Sequence, residues 1–357
     1  MLRPLRFALP FLFLATVPLG FALGGVGSFL TLALMPLAIA SLDGVLGAAA
    51  GAPGARHEGV YRLLPRLYIL AQLGVCVWAA LQVMSPATST LEMVGLTLSV
   101  GLTAGVFGML AAHEMVHSAS AADRALGLGF LAGVGYMQFR IAHVHGHHTR
   151  AATREDPASG RRGENAYLFA LRSVAGQTRE AWTFEAERLR RKGLGVWSMR
   201  NRMLCYALVE LIVLAGAASL GPRVLAFFVG QAVIAVFMLE LFNYIAHYGL
   251  ERRLEADGSF ERLAARHSWN SARRMNNWSL FNMGRHADHH RSPMQSFHRL
   301  EAVEGSPELP TGYAGAILMA LAPPLWRHVM DPRVAHWENL PRQGLAFAAK
   351  ASQISAK

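Results

Sequence analysis

Two cysteines in 357 residues, Cys76 and Cys205, both fall inside apolar runs. That excludes a disulfide framework, a CxxC redox pair and a thiolate metal site, and leaves the two thiols to pack as small hydrophobes. Charge is also scarce: 16% of residues are Asp, Glu, Lys or Arg, against roughly 25% in an ordinary soluble domain. Acid is the scarcer sign, with 23 Asp and Glu against 34 Lys and Arg and a formal net charge of +11. No helix-turn-helix or aromatic-basic module accompanies that charge, which argues against nucleic acid as a partner. Nucleotide, haem and flavin motifs are missing too, as are internal repeats and low-complexity linkers.

What is present is hydrophobic length. Hydrophobic residues make up 53% of the chain and mean hydropathy is +0.27. Six runs reach the roughly 18–20 residues that cross a bilayer: 7–24, 26–42, 66–85, 91–118, 203–220 and 223–248. The basic N-terminal stretch MLRPLRFALPFLFLATVPLGF has the makings of a signal peptide, but it runs through GGVGS almost directly into the next span, so a retained first helix is expected. Arg3 and Arg6 precede the first span, Arg56, Arg62 and Arg66 sit before the third, and the fourth connection is crowded with arginine. The SPATST turn has none, and the last connection has only Arg223. By the positive-inside rule both termini and the even-numbered connections are expected in the cytoplasm, and the inner membrane is the expected location.

The fourth run is too long for the membrane: its roughly 28 residues would rise about 42 Å, against a hydrocarbon core of about 30 Å. Its cytoplasmic end therefore projects. Residues 143–202 hold a mixed stretch, AYLFALRSVAGQ then EAWTFEAERLRRK, expected as a helix on the membrane surface. The polar segment 251–300 is expected to cap the bundle. Residues 307–330 carry a short apolar run broken by Pro323 and Pro324, which makes an interfacial segment and not a seventh span. The expected fold is an all-α membrane protein, six transmembrane helices with a histidine-rich cytoplasmic cap, forming one domain over 1–335 with a loosely ordered tail at 336–357.

Histidine is concentrated beside those spans. His113 and His117 stand in HEMVH, His143, His147 and His148 in HVHGHH, His247 in NYIAHYG, and His286, His289 and His290 in RHADHH. Imidazole is a good ligand for iron, zinc and copper. Histidines four apart share one face of an α-helix, so His113 pairs with His117, His143 with His147, and His286 with His290. The bland alternative, a set of packed structural histidines, would bury many ring nitrogens without partners. A zinc-protease reading of HEMVH uses three ligands and an open position, leaving the other clusters unexplained. A membrane metal transporter would place its ligands near the bilayer midplane, whereas these four clusters gather at one end. A multi-metal centre at the membrane face follows.

HxxxH, HxxxHH and HxxHH distributed over membrane helices resemble the integral-membrane non-haem di-iron hydroxylases and desaturases. Longer strings, EDPASGRRGENAYLF, NYIAHYGL, HSWNS, RHADHH and LPTGYAGAILMALAPPLWRHVMDPRV, resemble the alkane 1-monooxygenases over roughly residues 30–335. The resemblance implies two irons bound by His113, His117, His143, His147, His148, His247, His286, His289 and His290. It also implies O2-dependent hydroxylation of an unactivated terminal C–H bond in an alkane-like substrate, with electrons from a rubredoxin or ferredoxin and its NAD(P)H-dependent reductase. Hydroxylation of an aromatic methyl group and fatty-acyl desaturation stay open beside it. The chain departs from the family at Ala142 and Ala246, where Glu is frequent, and at Ser118, where Lys is; none of these removes a ligand.

Ligating imidazoles commonly donate their second N–H to a carboxylate, and Asp288 and Glu240 are the candidates for that role. Asp156 is expected as a solvated loop charge and Glu114 as pointing elsewhere on its helix. His145 is expected at the surface or outside the ligand set, and His57, His267, His298, His328 and His336 as non-ligands. Asn243, Tyr244, Trp269, Asn270 and Trp278 are expected to pack or orient. A hydrophobic substrate arriving from membrane lipid suits a pocket between apolar helices, here the second, third, fourth and sixth spans. The arginine-rich face would steer an acidic electron carrier.

Overall fold

The computed structural model describes residues 4–48 and 58–340; His57, Arg3, Arg56 and the tail beyond 340 lie outside them. Six helices are long and apolar enough to cross a membrane. They are α1 (Pro4–Ala22), α2 (Gly25–Leu46), α3 (Glu58–Met84), α4 (Thr90–His117), α8 (Arg202–Ser219) and α9 (Pro222–His247). Between them come α5 (Ala121–Gly133), the turns of 139–150 taken together as α6, and α7 (Ala166–Arg191). The C-terminal third adds α10 (Arg274–Ser279), α11 (His286–Arg291), α12 (Tyr313–Ala320) and α13 (Pro323–Asn339). Among the described residues β-pairing is confined to isolated bridges.

Five of the spans begin and end within four residues of the sequence expectation. The exception is α3, which starts at Glu58 and not at 66. Pro65 is buried inside this helix, where packing outweighs the lost hydrogen bond that makes proline look like a boundary. Arg66 is therefore a helix residue. Its guanidinium grips the Asp123 carboxylate of α5 through both Nε and Nη2, at 2.7 and 3.0 Å.

Burial separates the centre of the bundle from its rim. The most apolar window of α4 is 72% buried and that of α8 only 11%, so α4 is the core and α8 a lipid-facing flank. α9 lies tight against α4. A Cβ built on Gly101 would meet Ile234 Cβ at 2.7 Å, and one on Gly105 would meet Met238 Cβ at 2.6 Å. Small residues at such a crossing let backbones approach where lipid offers no hydrophobic drive. At the far end, Ser89 and Glu92 form a capping box that starts α4, and Glu92 also accepts the Gly25 N–H at 2.9 Å.

The opposite end carries the cap. Phe7 of α1 meets Phe297 edge-on at 5.1 Å, which puts the start of α1 beside the C-termini of α4 and α9. The expected surface helix is one continuous element, α7, with Arg188, Arg190 and Arg191 in its last turn. Residues 307–330 divide as expected: α12 and α13 are separate and α13 begins at Pro323. Tyr313 and Trp326 are fully buried. α13 runs through the expected domain end at 335 to Asn339.

Candidate metal centre

Four elements deliver the nine histidines to one end of the bundle. His113 and His117 stand on the last turns of α4, after a π-helical segment at Ala104–Gly108. His247 is the last residue of α9, and His286, His289 and His290 belong to α11. His143 and His147 lie in a second π-helical segment, Ala142–His147, and His148 follows it.

The nine fall into two sets. One contains His113, His117, His143, His148 and His289, the other His147, His247, His286 and His290, and within each the ligand atoms lie within 4.8 Å of one another. In the larger set Nε2 atoms approach at 2.8 Å (His113–His143), 3.0 Å (His143–His148), 3.1 Å (His117–His148) and 3.2 Å (His148–His289). In the smaller set the separations are 3.1 Å (His247–His286), 3.1 Å (His286–His290) and 3.2 Å (His247–His290). The sets adjoin, with the His148 and His290 rings 4.9 Å apart.

The α-helical spacing rule holds for HEMVH and RHADHH and fails for HVHGHH. His143 joins His148, five residues on, while His147 turns to the other set. A π turn closes i to i+5, so the histidine above His143 is His148. The expected pairing of His143 with His147 is thereby corrected.

A hydrogen-bonded web of imidazoles does not account for these contacts. Each Nε2 carries at most one proton, so converging Nε2 atoms cannot all be satisfied by one another. Around a metal–nitrogen bond of about 2.1 Å, donors at right angles lie about 3.0 Å apart, which is the spacing found. His147 is more direct still. Its Nδ1 is 2.8 Å from Asp156 Oδ2, and its buried Nε2 has no hydrogen-bond partner although its ring lies 4.9 Å from those of His247 and His290. Burial, then the neighbouring imidazoles, holds His143, His148, His286, His289 and His290 well below the ordinary imidazole value. They are neutral at pH 7, the form that binds metal.

Behind the imidazoles the supports differ from the expected ones. Asp156 is fully buried, not solvated. Burial raises its carboxyl, but the His147 ring and hydrogen bonds from His147 and Ser159 outweigh this and hold it below the usual range. The His247 Nδ1 faces the backbone carbonyl of His267 at 3.0 Å. Asn270 accepts the Ala287 N–H at 2.8 Å and so pins the start of α11.

Glu240 instead accepts from Tyr136 at 2.8 Å, Gln177 at 3.0 Å and Asn243 at 3.4 Å. Asp288 accepts the Glu301 N–H at 2.7 Å and contacts Arg291. The carboxylate bonded to an imidazole of the two sets is thus Asp156, which sequence spacing could not single out because a loop separates it from His147.

The remaining histidines stand apart. His145, His328 and His336 are exposed, His267 bonds Glu261 at 3.1 Å, and His298 stacks on Tyr61 with ring centroids 4.6 Å apart. Ala142 and Ala246 are completely buried, and Ser118 donates to Asp123 at 2.7 Å. Trp269 Nε1 donates to the Tyr248 carbonyl at 2.9 Å.

Three spaces adjoin the centre. A polar cavity of about 300 Å³ lies beside His117, walled by Arg62, Arg66, Glu114 and Asp123 among others. An apolar gap of about 10 Å³ lies between α4 and α9, lined by Gly105, Val106, Leu110, Met238, Leu239, Phe242, Leu280 and Ile317. Its walls come from the fourth and sixth spans and from Leu280 and Ile317 on the cap side. Finally, His145, Phe184, Arg188, Arg191, Lys192 and Arg202 surround a surface cleft of about 370 Å³.

The fatty acid desaturase family model matches residues 89–317. Alkane 1-monooxygenase 1 of Pseudomonas aeruginosa is 41% identical over 78% of the chain and 73% of its own length. The alkane 1-monooxygenase of Acinetobacter baylyi is 35% identical over 94% of the chain and 83% of its own. The hydroxylase component of the Pseudomonas putida xylene/toluene monooxygenase is 29% identical over 70% and 66%.

Proposed function

We propose that this chain, which belongs to the alkane 1-monooxygenase family within the wider fatty acid desaturase group, hydroxylates a terminal C–H bond of an alkane-like substrate at two irons. It is a multi-pass membrane monooxygenase, and the finer reading rests on the convergence of its nine imidazoles. His113, His117, His143, His148 and His289 would hold one ion; His147, His247, His286 and His290 would hold the other. Bound iron supplies the activation of O2 needed to place oxygen on an unactivated C–H bond.

The chain's own residues set the geometry. Asp156 and the His267 carbonyl fix the tautomer and stance of His147 and His247. Glu240 ties α9 to α7 and to Tyr136, and Asp288 ties α11 to residue 301, so both act on the helices that carry ligands. Leu110 stands one turn before His113, and Phe242 lies edge-on to His286 at 5.5 Å. The apolar gap between them therefore opens beneath the imidazoles, and its walls exclude water. At about 10 Å³ it holds at most one water, so side chains must part to admit a hydrocarbon.

Electrons would come from a rubredoxin or ferredoxin with its NAD(P)H-dependent reductase. Such carriers are acidic, and the cleft around Arg191, Lys192 and His145 offers complementary charge on the turn that bears the ligands. The arginine pattern supports an inner-membrane location with this face in the cytoplasm.

Metal analysis and product analysis test the proposal together. Two irons per chain and a primary alcohol from octane or hexadecane, with a surrogate reductase, are expected. A benzylic alcohol from xylene alone, or a double bond in an acyl chain, would move the substrate assignment. Zinc without oxygen consumption would overturn the whole reading.

A further inference from the structure

The residue after His247 is Tyr248, and it opens a group of oxidisable rings that the hydroxylation does not use. Tyr248, Tyr244 and Trp326 are all at most 1% exposed. Their ring centroids form a closed triangle: 5.1 Å between the tyrosines, 5.4 Å from Tyr248 to Trp326, and 5.6 Å from Tyr244 to Trp326. The Tyr248 hydroxyl donates to Asp331 Oδ1 on α13 at 2.7 Å and accepts the Gly163 N–H at 2.9 Å. Trp326 is harder to explain as packing, because its Nε1 is buried with no hydrogen-bond partner. A buried indole normally finds one, because an unsatisfied buried donor is destabilising. The ring packed against the five-histidine set is instead Phe139, 4.7 Å from His143, which resists oxidation.

We propose that Tyr248, with Asp331 as its proton acceptor and Tyr244 and Trp326 in ring contact, is a redox-active escape route that drains oxidising equivalents from the centre when O2 is activated without substrate. The inference rests on the proposed oxygenase reading. In the step, one electron leaves the Tyr248 phenol for the over-oxidised centre, and the phenolic proton crosses the hydrogen bond to the Asp331 carboxylate. A neutral tyrosyl radical and a protonated Asp331 remain, and Trp326 and Tyr244 share the vacancy by electron exchange across the ring contacts. A soluble thiol then returns an electron and becomes a thiyl radical; the proton on Asp331 goes back to the phenolate oxygen, the thiol's own proton goes to solvent, and two such thiyl radicals, from two events, couple to a disulfide. The centre is spared the oxidation of its own imidazoles, and of Met115 and Met283, which are buried and open to sulfoxide formation.

The test uses the full chain, metal-loaded, reduced and then mixed with O2 in the absence of substrate and thiol. Freeze-quench EPR should show a tyrosyl radical that is lost in Tyr248→Phe and falls severalfold in Asp331→Asn, which keeps a hydrogen-bond acceptor but no base. Mass spectrometry should find histidine and methionine oxidation in the centre severalfold faster in Tyr248→Phe, and added thiol should protect the parent protein more than the variant. Hydroxylation with substrate present should be unchanged in Asp331→Asn. Oxygen consumption with no radical in the parent protein, or the same radical and the same oxidation pattern in Tyr248→Phe, would overturn the inference. A chain that purifies without bound metal would instead overturn the proposed function, so the two failures are distinguishable.

Discussion

The two histidine sets lie side by side and are built differently. The five-histidine set draws on α4, the π turn and one residue of α11; its members are numerous but thinly backed. His113 and His148 have buried Nδ1 atoms with no hydrogen-bond partner, as do His286 and His290 of the other set, and His148 is only partly buried. The four-histidine set has one donor fewer, but two of its members are braced from behind, His147 by Asp156 and His247 by the His267 carbonyl. One set has the larger number of donors; the other has two donors, His147 and His247, held from behind. Where donors are few, orientation has to be fixed by the surroundings, because each misaligned imidazole removes a larger share of the binding.

The largest expected contrast follows from donor count. His247→Ala leaves three imidazoles in the smaller set and should empty it, halving metal content by elemental analysis and abolishing hydroxylation. His148→Ala leaves four in the larger set and should retain metal with reduced activity. Equal loss from both variants would erase the distinction.

Bracing comes next. Asp156→Ala keeps every ligand, yet metal affinity or activity should fall about 10–100-fold, read by competition with a chelator. Among the described residues no carboxylate is hydrogen-bonded to a ring of the five-histidine set, so no such variant exists there.

Third is substrate fit. Phe242→Ala on the side of the four-histidine set should enlarge the apolar gap and shift product yield toward bulkier hydrocarbons. Phe139→Leu against the five-histidine set should leave the product profile unchanged. A shift from Phe139→Leu alone would place the substrate on the other side.

The smallest effect concerns the platform beneath the π turn. Burial raises the Glu185 carboxyl of α7, but hydrogen bonds from Arg188 and Arg202 outweigh this and hold it at about 2, against an ordinary 4.5. A folded value below the unfolded one stabilises fully above the unfolded value and is lost as pH falls through the folded one. Acidification from about 4.5 toward 2 should therefore lower the melting temperature of the parent protein, and Glu185→Gln should flatten that limb.

Apolar length alone determined the six spans, since a bilayer demands an uninterrupted run whatever its neighbours do; α3 begins earlier than expected, at Glu58, because its first turns are helical although they carry Arg62 and Arg66. The identity of the nine imidazoles was likewise written in the chain, in clusters next to those runs. Their division into five and four was not. It hangs on a π turn that packs against α7, and no spacing rule for an α-helix can deliver it. Nor could the sequence bring Asp156 rather than Asp288 or Glu240 to an imidazole, or seat Leu280 and Ile317 in the apolar gap between α4 and α9. Such contacts join residues that local patterns leave unrelated, and only the closed bundle decides which of them meet.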